Sequence, residues 1–523
     1  KNIIYSEMQG AENVWRYDID NKLVKTIQPL EQAGYEDLRF NWNAPMAISA
    51  HQPDRFYMGS QFLHKSEDMG NTWEIISPDL STNDSKKQQQ ADSGGLSMDN
   101  SGAENHTTIF TIAESPLDEN IIWVGTDDGN VQVTKDGGKN WENVVNNIQG
   151  LPSNTWTYHI EASLHGKGTA YAVFDGHNHG DMKPYVYKTT DFGVSWSNIL
   201  TDDIVGTSRN IQEDYENENL LFLGTEFGLY VTVDGGKNWS KFTNNMPSVA
   251  VHFIDLQKQT NDLVLGTHGR GVIIVDDISP LRELNETSLQ EKLHFFNSEP
   301  IVIDENQSFS GSFGAETQFV GNNESTAAKI KYHLKKRHTF GKMSMVIENA
   351  KGDTVSTLTP GKSKGINIVK WDYQLRQPKV AKGKTFSFSG FTSPTLPAGR
   401  YKATITKGKE SFEHSFDLIY DPKSTIPMSE RASKQDAVME IYNMTESLAY
   451  DVYCIDAYID YARDSKNTKL EAKLNTHKAT LVITTGDNYV GAAEPQLREN
   501  LTNLLQRVES NYGAPTPNEL DNL

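Results

Sequence analysis

The chain has very little cysteine and no long apolar run. Its 523 residues include one cysteine, Cys454, so no intramolecular disulfide can form. Cys454 lies in an apolar stripe with helical spacing, which predicts a buried thiol that packs as a small hydrophobic residue. No run of about 18 or more apolar residues is present, so the sequence predicts no membrane-spanning helix.

Positive charge is also scarce. The chain has 49 Lys and Arg against 69 Asp and Glu, which gives a formal net charge of -20. A surface this acidic repels phosphate backbones and anionic lipid, so we expect no nucleic-acid partner. The sequence also lacks a phosphate-binding loop, a dinucleotide fingerprint and zinc-ligand spacing, so we predict no cofactor.

Aromatic residues are abundant, and part of them belong to a short repeated pattern. Four segments read Ser/Thr-x-Asp-x-Gly-x-(Ser/Thr/Asn)-Trp, and their Asp residues are 68, 55 and 43 positions apart. That interval is typical of one four-stranded blade of a β-propeller. The repeated positions are Asp68, Gly70 and Trp73; Asp136, Gly138 and Trp141; Asp191, Gly193 and Trp196; and Asp234, Gly236 and Trp239.

The chemistry of the pattern favours a structural role. An Asp in a tight turn accepts backbone N–H bonds, and Gly adopts a positive φ. The Trp that follows fills apolar space between neighbouring sheets. We therefore expect the repeated Asp residues to hold turns, since their carboxylates are used by the backbone.

A second pattern precedes most copies of the first. At 122–129, 221–228 and 263–271, an apolar strand leads into a Gly-containing turn and a further strand. Each copy predicts a β-hairpin within a blade. Since these turns lie at strand ends, we expect their polar residues to line one face of the propeller and to bind a ligand there; they are Asp127, Glu226, His268 and Arg270.

The composition divides the chain into four parts. Residues 1–284 predict five to six propeller blades, the first without the Asp pattern. Residues 290–421 alternate as a β-sandwich of immunoglobulin or fibronectin type. Residues 427–510 carry apolar stripes at steps of three and four, which predict a helical hairpin or small bundle. Residues 511–523 predict an extended tail.

The repeats resemble the BNR or Asp-box repeats of sialidases, xyloglucanase-type glycoside hydrolases, plant photosystem II assembly factors and sortilin. The order of parts and the segments 39–45, 76–80 and 266–271 are similar to large secreted Bacteroidetes-type proteins, usually labelled sortilin-like or glycosyl hydrolase. The resemblance implies a propeller and a secreted, periplasmic or cell-surface location in a Gram-negative bacterium. It is nearly silent on activity because one fold hosts many functions.

No catalytic residue is singled out by the sequence. A glycosidase needs two carboxylates across a cleft, and acids are plentiful without one specific pair. A sialidase-like site would need an arginine triad, and the arginines of the propeller region do not have that context. The segment 175–181 is rich in ligand-type residues; its spacing favours a polar hairpin loop, with metal binding by His177 and His179 as the alternative.

Two functional hypotheses follow. The first is a non-enzymatic envelope or secreted protein that binds or scaffolds a protein or peptide, within a larger complex. In that hypothesis the region 1–284 is the C-terminal part of a larger propeller, which an upstream segment or another chain completes. The alternative is a polysaccharide-active glycoside hydrolase of the Asp-box propeller type, whose ligand is a glycan.

Overall fold

The computed structural model describes residues 2–8, 10–89, 105–305, 325–385, 388–486 and 494–523. The chain forms two compact units, Lys1–Asn285 and Glu286–Leu523. It is mainly β, with many small antiparallel sheets and few helices, an arrangement consistent with a propeller. No helix in the described ranges is long and apolar enough to cross a bilayer. The four-part division made from the sequence is finer than these two units and stays a prediction.

The described residues of the first unit form six small sheets that follow one another along the chain. Each sheet is a meander in which consecutive strands pair antiparallel. The strands of the first three sheets are β1 Ile3–Met8, β2 Asn13–Asp18 and β3 Leu23–Thr26; β4 Met46–Ile48, β5 Phe56–Gly59, β6 Leu63–Ser66 and β7 Glu74–Ile75; and β8 Ile109–Glu114, β9 Ile122–Thr126, β10 Val131–Thr134 and β11 Glu142–Asn143.

The remaining sheets of the unit repeat this plan. Their strands are β12 Trp156–Ala162, β13 Ala170–Asp175, β14 Tyr185–Thr189 and β15 Ser197–Asn198; β16 Ser208–Glu213, β17 Leu221–Thr225, β18 Gly228–Thr232 and β19 Ser240–Lys241; and β20 Ala250–Gln257, β21 Asp262–His268 and β22 Gly271–Val275. The helix α1 spans Ser279–Glu283 near the end of the unit.

Neighbouring sheets share their apolar cores. Tyr171 and Val173 of β13 belong to one buried cluster with Leu221 and Leu223 of β17 and with the repeat residue Trp239. A similar cluster joins the third and fourth sheets. Burial of flat side chains between successive sheets is therefore what holds the unit together.

The repeated Asp turns have a common geometry. Asp136 Oδ1 accepts the amide of Asn140 at 2.9 Å, and Asp191 and Asp234 make the equivalent bond at 2.9 Å. Asp68 accepts the amide of Thr72 at 2.8 Å. The glycines at 70, 138, 193 and 236 have φ values of 83°, 98°, 83° and 94°. These contacts are those that a turn-holding role requires.

The second unit contains two sheets that enclose one core. After α2 (Glu286–Gln290), its strands are β23 Leu293–Phe295, β24 Ile301–Ile303, β25 Ala328–Leu334, β26 Met343–Asn349, β27 Thr354–Leu358, β28 Gly365–Trp371, β29 Gly399–Lys407 and β30 Glu410–Tyr420. The orders are β23-β25-β28 and β24-β30-β29-β26-β27. Side chains of both sheets form a single buried cluster, and the immunoglobulin or fibronectin type stays a prediction.

Four helices follow β30 in the described residues: α3 Met428–Asp464, α4 Thr468–Leu481, α5 Leu497–Ser510 and α6 Pro517–Asp521. Apolar residues of α3 and α5 pack in one cluster. Two details differ from the sequence predictions. The tail contains α6, because Thr516 and Glu519 form a capping box and Pro517 is the first helical residue. Cys454 is half-buried, since it lies at the margin of the α3 stripe.

Candidate functional site

The first strand of each sheet from the second to the sixth lines a cavity of about 670 Å³. These are β4, β8, β12, β16 and β20, and consecutive ones are in contact. The N-terminal residues of these strands form one end of the cavity, and their C-terminal residues form the other end. The two ends differ in chemistry, the first being aromatic and cationic and the second acidic.

Four of these strands carry a bulge at the same place. In each strand one residue has no partner in the pairing with the next strand. These residues are Phe110 of β8, Tyr158 of β12, Arg209 of β16 and His252 of β20. A bulged residue leaves the alternation of its strand, and bulges often redirect side chains near binding sites. All four residues line the cavity. We call Phe110, Tyr158, Arg209 and His252 the bulge ring.

The members of the bulge ring contact one another. The rings of Phe110 and Tyr158 are 5.2 Å apart, those of Tyr158 and His252 are 6.4 Å apart, and the Arg209 guanidinium lies 5.1 Å from the Tyr158 ring. Trp156 packs edge-on against Phe110 at 4.7 Å. The result is a continuous surface of flat side chains with one guanidinium.

Arg209 links the bulge ring to two carboxylates. Its guanidinium donates to Asp175 and, at 3.2 Å, to Glu226. Asp175 is buried and also binds His177 Nδ1 at 2.6 Å. Asp175 ends β13 and Glu226 lies in the β17–β18 turn, so the two bonds hold the guanidinium over Tyr158 from two sheets.

Two of the acids at the other end of the cavity are used to join sheets. Glu213 accepts the Tyr171 hydroxyl at 2.9 Å, the Ser163 hydroxyl at 2.8 Å and the Leu164 amide at 2.7 Å. Glu114 repeats this arrangement with Tyr57, Ser49 and Ala50 at 2.6 to 2.9 Å. We call these arrangements carboxylate latches. The carboxylate oxygens of Glu114 and Glu213 are occupied by these bonds, so we do not assign them a catalytic role.

Glu161 of β12 differs from the latches. Gln212 Nε2 donates to its Oε1 at 2.6 Å. Burial, and then the nearby Glu213 carboxylate, raises the pKa of Glu161 to about 8. Burial lowers the pKa of His159 to about 4, so the 3.8 Å contact of His159 with Glu161 is between neutral groups at pH 7. Glu161 is thus a protonated carboxyl on the cavity wall.

Two neighbouring strands complete the surroundings of Glu161. β16, which supplies Gln212, lies between β12 and β20, and β20 supplies the exposed Asp255. Asp255 also raises the pKa of Glu161, which places the two carboxyls within electrostatic reach across β16. A protonated and an exposed carboxyl therefore line the same cavity.

Several polar atoms of the cavity wall are buried without a hydrogen-bond partner among the described residues. They are His159 Nε2, Arg209 Nε and Asn210 Oδ1. Buried polar groups are usually satisfied, so each such atom needs an explanation. Both donor and acceptor types are among them, so the wall of the cavity holds polar groups that the described residues leave unpaired.

The predicted face residues have different surroundings. Glu226 binds Arg209, and His268 stacks on His252 at 5.3 Å, so both border the bulge ring. Arg270 is exposed in the β21–β22 turn. Asp127 is buried, and its carboxylate accepts the Thr108 amide, the Thr108 hydroxyl and the Asn41 amide group at 2.6 to 2.9 Å. Burial raises the pKa of Asp127 to about 6.

The metal alternative for His177 and His179 has no further support. His177 binds Asp175, and the part of the chain that the structure describes has no group of three or more metal-ligating side chains. The sequence analysis did not single out the bulge ring or Glu161. A signal was present, because the ring residues recur 48, 51 and 43 positions apart, close to the spacing of the Asp turns.

Comparison with known proteins gives weak but consistent similarity. No family model matches the chain. A probable oligoxyloglucan-reducing end-specific xyloglucanase of Neosartorya fischeri is 24% identical over 208 residues, which are 38% of this chain and 22% of that protein. An oligoxyloglucan-reducing end-specific xyloglucanase of Emericella nidulans is 24% identical over 206 residues, with the same 38% and 22% coverage.

The chain therefore matches about a fifth (22%) of the length of these curated relatives. Both are named as enzymes that act on a polysaccharide. The prediction of a non-enzymatic binding or scaffolding protein is thus wrong, and its alternative, a glycoside hydrolase, is favoured. The Asp turns, which are the strongest signal in the sequence, indicate architecture and not activity, so they could not reveal this.

Two solved structures are also similar. The GH74 xyloglucanase from Xanthomonas campestris has a TM-score of 0.39 and 18% identity, over 54% of this chain and 44% of that chain. PorZ of Porphyromonas gingivalis, a surface component of the type-IX secretion system, has a TM-score of 0.36 and 15% identity, over 80% and 58%. With TM-scores below 0.5, these structures support no further statement about this chain.

Proposed function

We infer that the chain is the whole or part of a glycoside hydrolase that acts on polysaccharide in the cavity of its first unit. The observation that carries the proposal is that Glu161, with its pKa raised to about 8, and Asp255 line the same cavity as the bulge ring. A glycosidase needs one carboxyl that stays protonated at working pH and a second that acts as base or nucleophile. Of the cavity acids, Glu161 fits the first role and Asp255 the second.

The bulge ring suits the binding of a sugar chain. The faces of Phe110 and Tyr158 offer flat apolar contact to the C–H side of a pyranose ring. Arg209 and His252 add hydrogen-bonding groups for hydroxyls. Such a mixture of aromatic walls with a few polar groups is typical of small-molecule and glycan sites.

The proposed chemistry uses these groups in order. Glu161 donates its proton to the glycosidic oxygen, and the leaving sugar departs as an alcohol. Asp255 either removes a proton from the attacking water or attacks the anomeric carbon, according to its distance from Glu161. A xyloglucan oligosaccharide is the first substrate to test, because both curated relatives are named for it.

The finer classification belongs to the same proposal. The geometry of the Asp turns supports assignment to the Asp-box repeat proteins, and the segments quoted above support the Bacteroidetes type. A polysaccharide substrate is met outside the cell or in the periplasm, which supports a secreted or surface location.

The test is reducing-sugar release from xyloglucan and from a panel of other β-glucans. We expect Glu161→Gln and Asp255→Asn each to lower kcat/KM by about 10²-fold or more, since general acid–base catalysis contributes about 10²–10⁴-fold. Wild-type activity should decline as the pH rises through about 8, where Glu161 loses its proton.

The matched control is Glu218→Gln, an exposed acid of the β16–β17 loop. It makes the same Glu-to-Gln change at an exposed position outside the cavity and should leave the rate unchanged. Equal activity of the Glu161 and Glu218 variants, or no release from any glycan of the panel, would sink the proposal.

A further inference from the structure

The net negative charge of the chain is confined to its first unit. Residues 1–285 contain 20 Lys and Arg and 40 Asp and Glu, whereas residues 286–523 contain 29 of each. The second unit is therefore neutral as a whole. The charge of -20 predicts that the chain repels anionic surfaces, but a neutral second unit does not itself repel them.

Within the second unit, basic residues are concentrated in one place. The segments 325–347 and 354–371 contain no Asp or Glu. They carry nine Lys and Arg: Lys329, Lys331, Lys335, Lys336, Arg337, Lys342, Lys362, Lys364 and Lys370. Six of the nine belong to two loops, 335–342 and 359–364.

The two loops are adjacent in space. β25 pairs with β28 so that Leu334 is opposite Gly365, and the loops leave the sheet at the same end. The His338 amide donates to the Lys362 carbonyl at 2.9 Å, and Lys362 Nζ donates to the Gly341 carbonyl at 3.2 Å. The cations of both loops thus form one cluster, which we call the basic tip.

An apolar side chain stands out in the basic tip. Phe340 is 88% exposed, which is the largest exposed fraction of any large hydrophobic residue that the structure describes. On β28, which is an edge strand of its sheet, Ile366 and Ile368 are also exposed, by 38% and 53%. Covering such exposed apolar side chains with a partner is favourable, because it removes apolar surface from water.

We propose that the basic tip docks on a membrane surface that carries anionic lipid headgroups, with Phe340 inserted among the lipids. Lysine and arginine near an anionic leaflet are attracted to its surface potential. An aromatic side chain between such cations gains from the apolar layer below the headgroups. A soluble polyanion would bind the cations but leave Phe340 exposed to water. A membrane surface accounts for both the cation cluster and the exposed Phe340.

The test is co-sedimentation of the full chain with vesicles. We expect binding to phosphatidylcholine vesicles that contain phosphatidylglycerol, and weak binding to phosphatidylcholine alone. Substitution of Lys336, Arg337 and Lys342 by Gln should weaken binding about a hundredfold, at about fivefold for each cation. Phe340→Ser keeps the charge and should weaken binding severalfold.

The matched control substitutes Lys351, Lys469 and Lys473, three exposed lysines of the second unit outside the basic tip, by Gln. It changes the net charge equally and should bind as the wild type does. Loss of binding in this control, equal binding to both vesicle types, or an unchanged Phe340→Ser variant would overturn the proposal. An unchanged Phe340→Ser variant that also binds soluble heparin would identify a polyanion site instead. The proposal is independent of the glycosidase activity, since no residue is shared.

Discussion

The carboxyl of Glu161 shows how strongly a titratable side chain depends on its position along one strand. Glu213, on the neighbouring strand, has three donors and serves as a latch. Glu161 accepts from the Gln212 side chain and the Glu213 backbone, but burial outweighs both bonds and raises its pKa. The same residue type therefore joins two sheets at one position and is the proposed proton donor at the other.

This difference predicts a pH-dependent stability. In the unfolded chain the pKa of Glu161 lies near the ordinary value of 4.5, and in the folded chain it is raised to about 8. Between these values the folded state holds the extra proton, so the contribution of Glu161 to stability falls as the pH rises, by up to about 1.4 kcal/mol per pH unit. Below the lower value the contribution is fully present.

Urea unfolding of the wild type and of Glu161→Gln at pH 5 to 9 measures this effect. Gln does not titrate, so we expect the variant to gain stability relative to the wild type from pH 5 to about 8, with no further change above. Glu218→Gln should show no such trend. A Glu161→Gln difference that is constant over the whole range would contradict the assigned burial.

At the scale of elements, the Asp turns connect each sheet to the one before it. A Cβ on Gly138 would lie 2.5 Å from the Ile76 carbonyl oxygen of the preceding sheet, and Trp141 donates to the same oxygen at 3.1 Å. Trp239 bonds Ile199 of its preceding sheet in the same way, at 2.7 Å. The turn is thus both a local structure and a contact between sheets.

We predict that Gly138→Ala destabilises the first unit by about 2–4 kcal/mol. The left-handed φ alone costs an L-residue about 1–2 kcal/mol, and the displaced Ile76 carbonyl adds the rest. Gly34→Ala is the matched control, with a φ of +95° against +98° and no atom within 4 Å of the added Cβ. Urea midpoints measure both variants; equal losses would show that the contact with Ile76 contributes nothing.

The turns were open to prediction from sequence, whereas the site was not. An Asp turn is encoded within eight residues by groups that bond one another, as Thr134, Asp136 and Asn140 do. The bulge at Tyr158 arises from the pairing of β12 with β13, and the pKa of Glu161 from residues more than 50 positions away. Such non-local causes leave no local pattern, although the spacing of the ring residues was a usable clue.

At the scale of the whole molecule, the two units differ in charge. The first has an excess of 20 acidic residues and the second has none. Like charges on one compact body repel, and this destabilises the folded state at low ionic strength. Salt screens the repulsion, since the Debye length falls from about 30 Å at 0.01 M to about 10 Å at 0.1 M.

We therefore predict that salt stabilises the first unit more than the second. Scanning calorimetry of the full chain should show two transitions, of which the one lowered by Gly138→Ala belongs to the first unit. Raising NaCl from 0.01 to 0.3 M should move this transition up by several degrees and the other by clearly less, because only the first unit has self-repulsion to screen. Equal shifts of both transitions, or a single transition, would refute the idea that charge and stability are divided between the units. The result also matters for the basic tip. Once salt screens the charge of the first unit, the neutral second unit can approach an anionic surface.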